Sequence, residues 1–329
     1  MARKLALGDL FLLRHLEERG VRFDLRNSLV HPATPSQAAL VGLLTRYRFG
    51  AVTCIHDEDG QGGFVQVWPH GGSLSWHLAY IAPSLDERPD AAAIWHGMLG
   101  QLLRLASSEG ALRVFARCVE DAETEGTLRQ RGFGLVTREE VFVLTMPPSP
   151  APAPRGLRRF DESDRWPLRQ LYGQAVPSLV QKAEGFSPQE LISPLQSLAS
   201  PPEDHYVWVD RGEIIAHFAV SRGRAGTWMD CVVRPDRRGD ALPQMHHILS
   251  QQPCSPDRPL YVCVPDYAVG LGWLLRTLGF ETFARQAVMA AHTAAREAVA
   301  RQALMPGLEG VDCGAPVTTV SQNSLQSPS

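Results

Sequence analysis

The feature that most constrains this chain is an order of elements that occurs twice. "WHLAYIAP" (Trp76–Pro83) and "WMDCVVRP" (Trp228–Pro235) both begin at Trp, alternate as a strand does and stop at Pro. A Gly-containing turn ("PHGGS", "GRAGT") and a strand-like run ("GGFVQVW", "EIIAHFAV") precede each copy. After each comes a helical stretch, "AAAIWHGMLGQLLRLASSEG" or "LPQMHHILSQQ". A short apolar strand follows, "LRVFARCVE" or "PLYVCVPDY", then a helix ending in Gly-Phe, "TLRQRGFGL" or "LLRTLGFET". Each half closes on a further strand, "EEVFVLTM" or "ARQAVMAAH". One matched string would mean little, but the whole order repeated predicts a duplicated domain.

Composition places the boundaries. "MPPSPAPAPRG" (Met146–Gly156) cannot form a helix or a central strand and reads as a semi-stiff linker. The residues up to 146 form an N-terminal half, 147–156 the linker and 157–303 a C-terminal half. Residues 304–329 are too poor in apolar side chains to fold and read as a disordered tail. "HTAAREAVARQALM" before the tail favours helix. In the C-terminal half, "GLRRF" reads as strand and "SDRWPLRQLYGQAV" as a capped helix. Helix is also expected around "SPQELISPLQSLA". "HYVWVD" and "EIIAHFAVSR" make a hairpin around Arg211-Gly212. The fold class expected is α/β (α+β): a mixed, mostly antiparallel sheet flanked by helices, used twice.

Several function classes find no support. With 20% charged residues, a net charge of -3 and no basic run, the chain shows no footprint for nucleic acid or anionic membrane. No run of 18 uninterrupted apolar residues spans a membrane. "MARKLALGDLFLLRHLEERG" is broken by Asp9, Arg14, Glu17 and Glu18, so it reads as a short amphipathic helix on Leu5, Phe11, Leu12 and Leu16, not a signal peptide. The six cysteines (54, 118, 231, 254, 263, 313) form no CxxC pair and read as buried thiols of a reducing cytoplasm. His246 and His247 are adjacent, which points them about 100° apart on a helix, so they are no metal face. No metal is expected.

Strand-Pro-x-Arg-Arg-Gly-helix, then strand, then a helix ending in "LGF", resembles the GCN5-related N-acetyltransferase (GNAT) family. The resemblance covers both halves, roughly 5–146 and 155–292, with degenerate motifs. It implies an acetyl-CoA (or other acyl-CoA) co-substrate and an amine acceptor, a small molecule or a peptide. In such a site one strand splays from its neighbour and leaves backbone groups for the pantetheine, here at Val232 and Val233. A loop and helix N-terminus then take the pyrophosphate. The family pattern Arg/Gln-x-x-Gly-x-Gly/Ala falls on Arg238-Gly239-Asp240-Ala241-Leu242-Pro243, with Arg237 beside it. Ala241 keeps its N–H, Pro243 has none, and Asp240 competes with a phosphate for the same amides. The N-terminal copy, "SLDERPDAAAIW", lacks glycine and carries Asp86, Glu87 and Asp90, so the C-terminal half is the one expected to bind CoA.

The family's proton-donating Tyr falls on Leu275 and Leu128, and its preceding Asn and Ala on Ala268 and Leu271. The substitutes are Asp230 and His217 as bases and Tyr267 as the acid. His77, Tyr80 and Glu120 are their weaker counterparts in the N-terminal half. Two readings stand: a cytoplasmic tandem N-acyltransferase, or a GNAT-fold ligand sensor or interaction scaffold without turnover.

Overall fold

In the computed structural model the described residues are 3–45, 47, 50–58, 61–69, 74–185 and 203–293. The helices expected at "SPQELISPLQSLA" and "HTAAREAVARQALM", and the tail, lie outside them. In the N-terminal half the strands are β1 (Arg3–Lys4), β2 (Val21–Arg22), β3 (Val52–Glu58), β4 (Gln61–Pro69), β5 (Ser75–Ala82), β6 (Arg113–Val119) and β7 (Gly134–Leu144). The helices are α1 (Leu10–Leu16), α2 (Leu25–Val30), α3 (Pro35–Leu44), α4 (Ala91–Ser108) and α5 (Ala122–Arg129). The C-terminal half adds β8 (Leu157–Arg159), β9 (Glu203–Asp210), β10 (Glu213–Arg222), β11 (Thr227–Val233), β12 (Leu260–Pro265) and β13 (Glu281–His292). Its helices are α6 (Arg165–Ala175), α7 (Ser178–Glu184), α8 (Leu242–Ser250) and α9 (Leu271–Thr277).

Local chemistry accounts for most of these elements. Thr34 caps α3 through Gln37, with Pro35 in the first turn. Asp24 caps α2 by accepting from the Asn27 amide. The β9–β10 hairpin turns on Arg211 (φ 51°) and Gly212 (φ 85°), the left-handed pair a tight two-residue turn requires. α1 forms where expected and buries Leu13 and Leu16, while Phe11 is turned out and 86% exposed.

All of these strands join one sheet in the order β1-β3-β4-β5-β6-β13-β7-β12-β11-β10-β9-β8, with β2 added against β5. Only β5–β6 and β11–β12 pair in parallel. The closing strands are exchanged. β7, which ends the N-terminal half, pairs with β12 of the other half. β13, which ends the C-terminal half, pairs with β6 and β7. Charged side chains at this junction are buried and matched. The Arg117 guanidinium lies 3.1 Å from Glu139, which also accepts from the Gln286 amide at 2.7 Å.

Side chains alternate across the sheet, and each face carries its own helices. α4 packs Ile94, Trp95 and Met98 on Val65, Val67 and Leu78. α8 and α9 pack Met245, Ile248 and Leu274 on Met229, Cys231 and Phe218 of the same face. On the opposite face α1 and α3 cover Ile55 and Phe64, and α6 covers Val207 and Ile214. The linker is fastened to α8: His246 donates to the Ser149 carbonyl at 2.8 Å and His247 to that of Ala151 at 2.9 Å. Among the described residues no helix is long and apolar enough to cross a membrane.

Candidate functional site

The geometry starts where a ladder stops. β11 and β12 pair from Thr227–Leu260 to Asp230–Cys263 and no further. β11 runs on to Val233 and β12 to Pro265 without a mutual partner. On its other edge β11 stays bound to β10, with Val233 opposite Ala216, and the Arg234 amide donates to the Ile215 carbonyl at 2.9 Å. Backbone groups alternate along a strand, so the Cys231 carbonyl and the Val233 amide face the gap. Among the described residues no strand pairs with them there.

Past β11 the chain departs from the expected open loop. Pro235–Ala241 winds into a 3-10 helix that runs straight into α8. The residues explain it. Pro235 presets the first turn, and Pro243 sits in the first turn of α8. Ala241 takes a right-handed conformation (φ -77°, ψ -9°) instead of a glycine-only one. A 3-10 helix uses its amides on carbonyls three residues back, so few remain to wrap an anion. Nothing lies within 4 Å of where a Cβ on Gly239 would sit, so the fold does not demand glycine there.

The two adjacent arginines behave differently. Arg237 is occupied: it pairs with Asp210 and Asp240, each at 2.8 Å, and stacks over Trp208 at 5.0 Å. Burial draws the Arg238 pKa down, and the Tyr267 and Cys231 groups oppose that shift. Its Nε is buried without a hydrogen-bond partner among the described residues. Ala241 is buried in the core under α8, with half-buried Leu242 against it. The Val232 side chain points the other way, toward α6.

Register puts His217, Val232 and Asp230 on one face of the sheet. Asp230 is not a free carboxylate. It accepts from the Arg26 guanidinium at 3.1 Å and from the Trp228 indole at 3.0 Å. Arg26 comes from α2, so the N-terminal half reaches into this site. His217 Nε2 meets His205 Nδ1 at 3.2 Å, and the rings stack at 5.3 Å. Burial, then the nearby His205, pulls the His217 pKa down to about 3, so it is neutral. Both residues are therefore poorly suited to act as bases. Tyr267 packs with Tyr172, Val176 and Val180 just past the end of β12. Burial, then the charge of Glu184, holds its phenol well above the usual range and keeps it protonated. Leu275 and Leu128 are buried in the two cores.

The N-terminal half has the same interrupted ladder. β5 and β6 pair only from Ser75–Arg113 to His77–Phe115. Here the chain fills its own gap. β2 lies against β5, with Val21 opposite Ile81 and Arg22 opposite Tyr80. The Phe23 amide donates to the Ala79 carbonyl at 2.9 Å. Gly20 makes the approach possible, since a Cβ there would lie 2.3 Å from the Ile81 carbonyl oxygen. Tyr80 is used structurally, donating to the Glu17 carbonyl at 2.6 Å and accepting from the Gly20 amide at 2.9 Å. Glu120 pairs with Arg138 at 2.8 Å, and His77 stacks on Phe115. Neither β2 nor Arg26 stands out in the sequence; the one available cue is the short Gly-Val-Arg-Phe run at residues 20–23.

Among the described residues no cluster of three or more His, Cys, Asp or Glu side chains is arranged to hold a metal. No family model matches the sequence, and no curated protein does. Solved structures do. A tandem GNAT protein from the clavulanic acid biosynthesis pathway superimposes with a TM-score of 0.51 at 15% identity, covering 89% of this chain and 98% of that one. A functionally unknown conserved protein from Staphylococcus epidermidis ATCC 12228 gives 0.50 at 8% identity, over 73% of this chain and 94% of its own. A GCN5-related N-acetyltransferase from Sphaerobacter thermophilus gives 0.48 at 16% identity, over 89% and 95%. With its twice-interrupted sheet and flanking helices, the chain has the GCN5-related N-acetyltransferase fold, in tandem.

Proposed function

We propose that this chain is an acyl-CoA-dependent N-acyltransferase, with its acyl donor between β11 and β12. The observation that carries the reading is the asymmetry of the two gaps. The one in the N-terminal half is filled by β2, while among the described residues Cys231–Val233 keep an unpaired edge. In this reading the Cys231 carbonyl and Val233 amide hold the pantetheine, and Arg238 meets a phosphate. The amine nitrogen attacks the thioester carbonyl, the new C–N bond forms and the C–S bond breaks. Tyr267 gives its phenolic proton to the leaving sulfur and is reprotonated from solvent, which also takes the proton shed by the amine. Asp230, held by Arg26 and Trp228, and His217, held by His205, act as fixed polar groups of the acceptor side.

The alternative, a sensor or scaffold without turnover, draws on the helical winding of Pro235–Ala241, which consumes the amides a phosphate would use. One measurement bears on both. Acetyl-CoA at 100-fold over its dissociation constant should stabilise the chain by about 2.7 kcal/mol. Isothermal titration should give one site per chain. Arg238→Glu should abolish binding, and Arg88→Glu, at the corresponding N-terminal position, should leave it intact. No binding refutes the reading. Binding without acyl transfer to any of a broad amine panel favours the sensor.

A further inference from the structure

A cavity lies in the N-terminal half, between α2–α3 and strands β4–β5. Its volume is about 260 Å³, and Arg22, Asn27, His31, Gln66, Trp68 and Tyr80 are among its walls. We infer that it is a binding site for a small carboxylate with a flat apolar body, separate from acyl transfer.

Charge decides the first part. Arg22 stands over the Tyr80 ring at 5.5 Å and has no carboxylate within ion-pair distance among the described residues. The acid in the wall, Asp24, accepts from the Asn27 amide at 3.0 Å and from the Asn27 side chain at 2.6 Å, and its burial raises its pKa and so disfavours its charged form. An anion entering the cavity therefore meets one uncompensated guanidinium, which binds carboxylates with two parallel N–H groups. His31 Nε2 is buried without a hydrogen-bond partner among the described residues. The Gln66 amide is fixed by the Pro35 carbonyl at 2.7 Å and by Thr53 at 3.0 Å, so the cavity floor is preset.

Shape decides the second. The volume falls below the roughly 300–1,000 Å³ of sites for drug-sized ligands, which limits the guest to about one ring. Trp68 provides flat apolar surface, beside a Tyr80 ring already stacked on Phe64 at 5.4 Å. β2 separates the cavity from any acyl donor in the N-terminal gap. The strand that carries Arg22 also fills the gap against β5, so no thioester reaches a guest here along that edge.

The inference does not depend on acyl-CoA binding at the other gap, and its test keeps the two apart. Benzoate and phenylacetate are titrated into the full chain by ligand-observed NMR, with benzamide as the uncharged control. At least one carboxylate should bind, and benzamide should not. Arg22→Gln, on an exposed side chain, should weaken carboxylate binding by about tenfold or more while leaving the urea midpoint unchanged. Saturating acetyl-CoA should leave the carboxylate affinity unchanged. Absence of binding by both carboxylates, equal binding of benzamide, binding insensitive to Arg22→Gln, or displacement by acetyl-CoA would each overturn the assignment.

Discussion

The Arg26–Asp230 pair joins the two halves at the site, and its loss has a magnitude that can be worked out. The side chains are 8% and 10% exposed and 3.1 Å apart. Arg26→Met takes one guanidinium away from a buried carboxylate that also accepts from the Trp228 indole and interacts with the charge of Arg117. Breaking a buried pair from one side costs about 3–5 kcal/mol. At about 2–4 °C per kcal/mol for a chain of a few hundred residues, that is a fall of roughly 6–20 °C. Asp230→Asn keeps an acceptor for the indole and removes the charge. It should therefore cost less in the Arg26→Met background than in the wild type, with a coupling of about 2 kcal/mol or more. Equilibrium urea denaturation of the four proteins, followed by circular dichroism, measures the cycle. The reasoning fails if Arg26→Met costs under about 1 kcal/mol, or if the two losses simply add.

Other expectations concern single groups. His217 is protonated in the unfolded chain below pH 6.5 but resists protonation in the fold down to about pH 3. The unfolded state thus binds more protons in that window, and stability present above pH 6.5 is lost as pH falls. Between pH 6.5 and 5 the loss from this residue should be about 2 kcal/mol, and His217→Gln should remove most of it; an unchanged pH slope in urea melts would contradict this. Gly20→Ala should destabilise by about 1–3 kcal/mol, because the new methyl collides with a backbone carbonyl; a neutral result would mean β2 does not seat against β5 as described. Tyr267→Phe should lower kcat for acyl transfer by about 10²-fold or more with KM for acetyl-CoA held; an equal kcat would remove Tyr267 from the chemistry.

The fold was legible because it rests on order. Trp76–Pro83 and Trp228–Pro235, with the elements around them, carry periodicities that local sequence displays. Partner choice is not local. "EEVFVLTM" and "ARQAVMAAH" have the same apolar alternation, and nothing in either says it will pair across the halves. The placing of the candidate site's residues was legible in part for the same reason. Arg238 and Tyr267 stand at the ends of one strand–helix–strand unit, just past β11 and just past β12. Asp230 was visible as a carboxylate on an apolar strand, but its partner lies 204 residues away in a six-residue helix. The Arg237–Asp210 and Arg237–Asp240 pairs were equally hidden, and they take one of the two arginines out of play.

The exchanged strands also set a timetable. β13 is made after the other twelve, yet it occupies the middle of the sheet, between β6 and β7. During synthesis the N-terminal half emerges with β6 lacking its neighbour on one side and β7 still waiting for both β12 and β13. Such an intermediate carries open strand edges, the surfaces on which chains mispair. The final assembly is a late insertion into a gap that must stay open until the last strand arrives. The half that was built first is therefore the half that must wait longest.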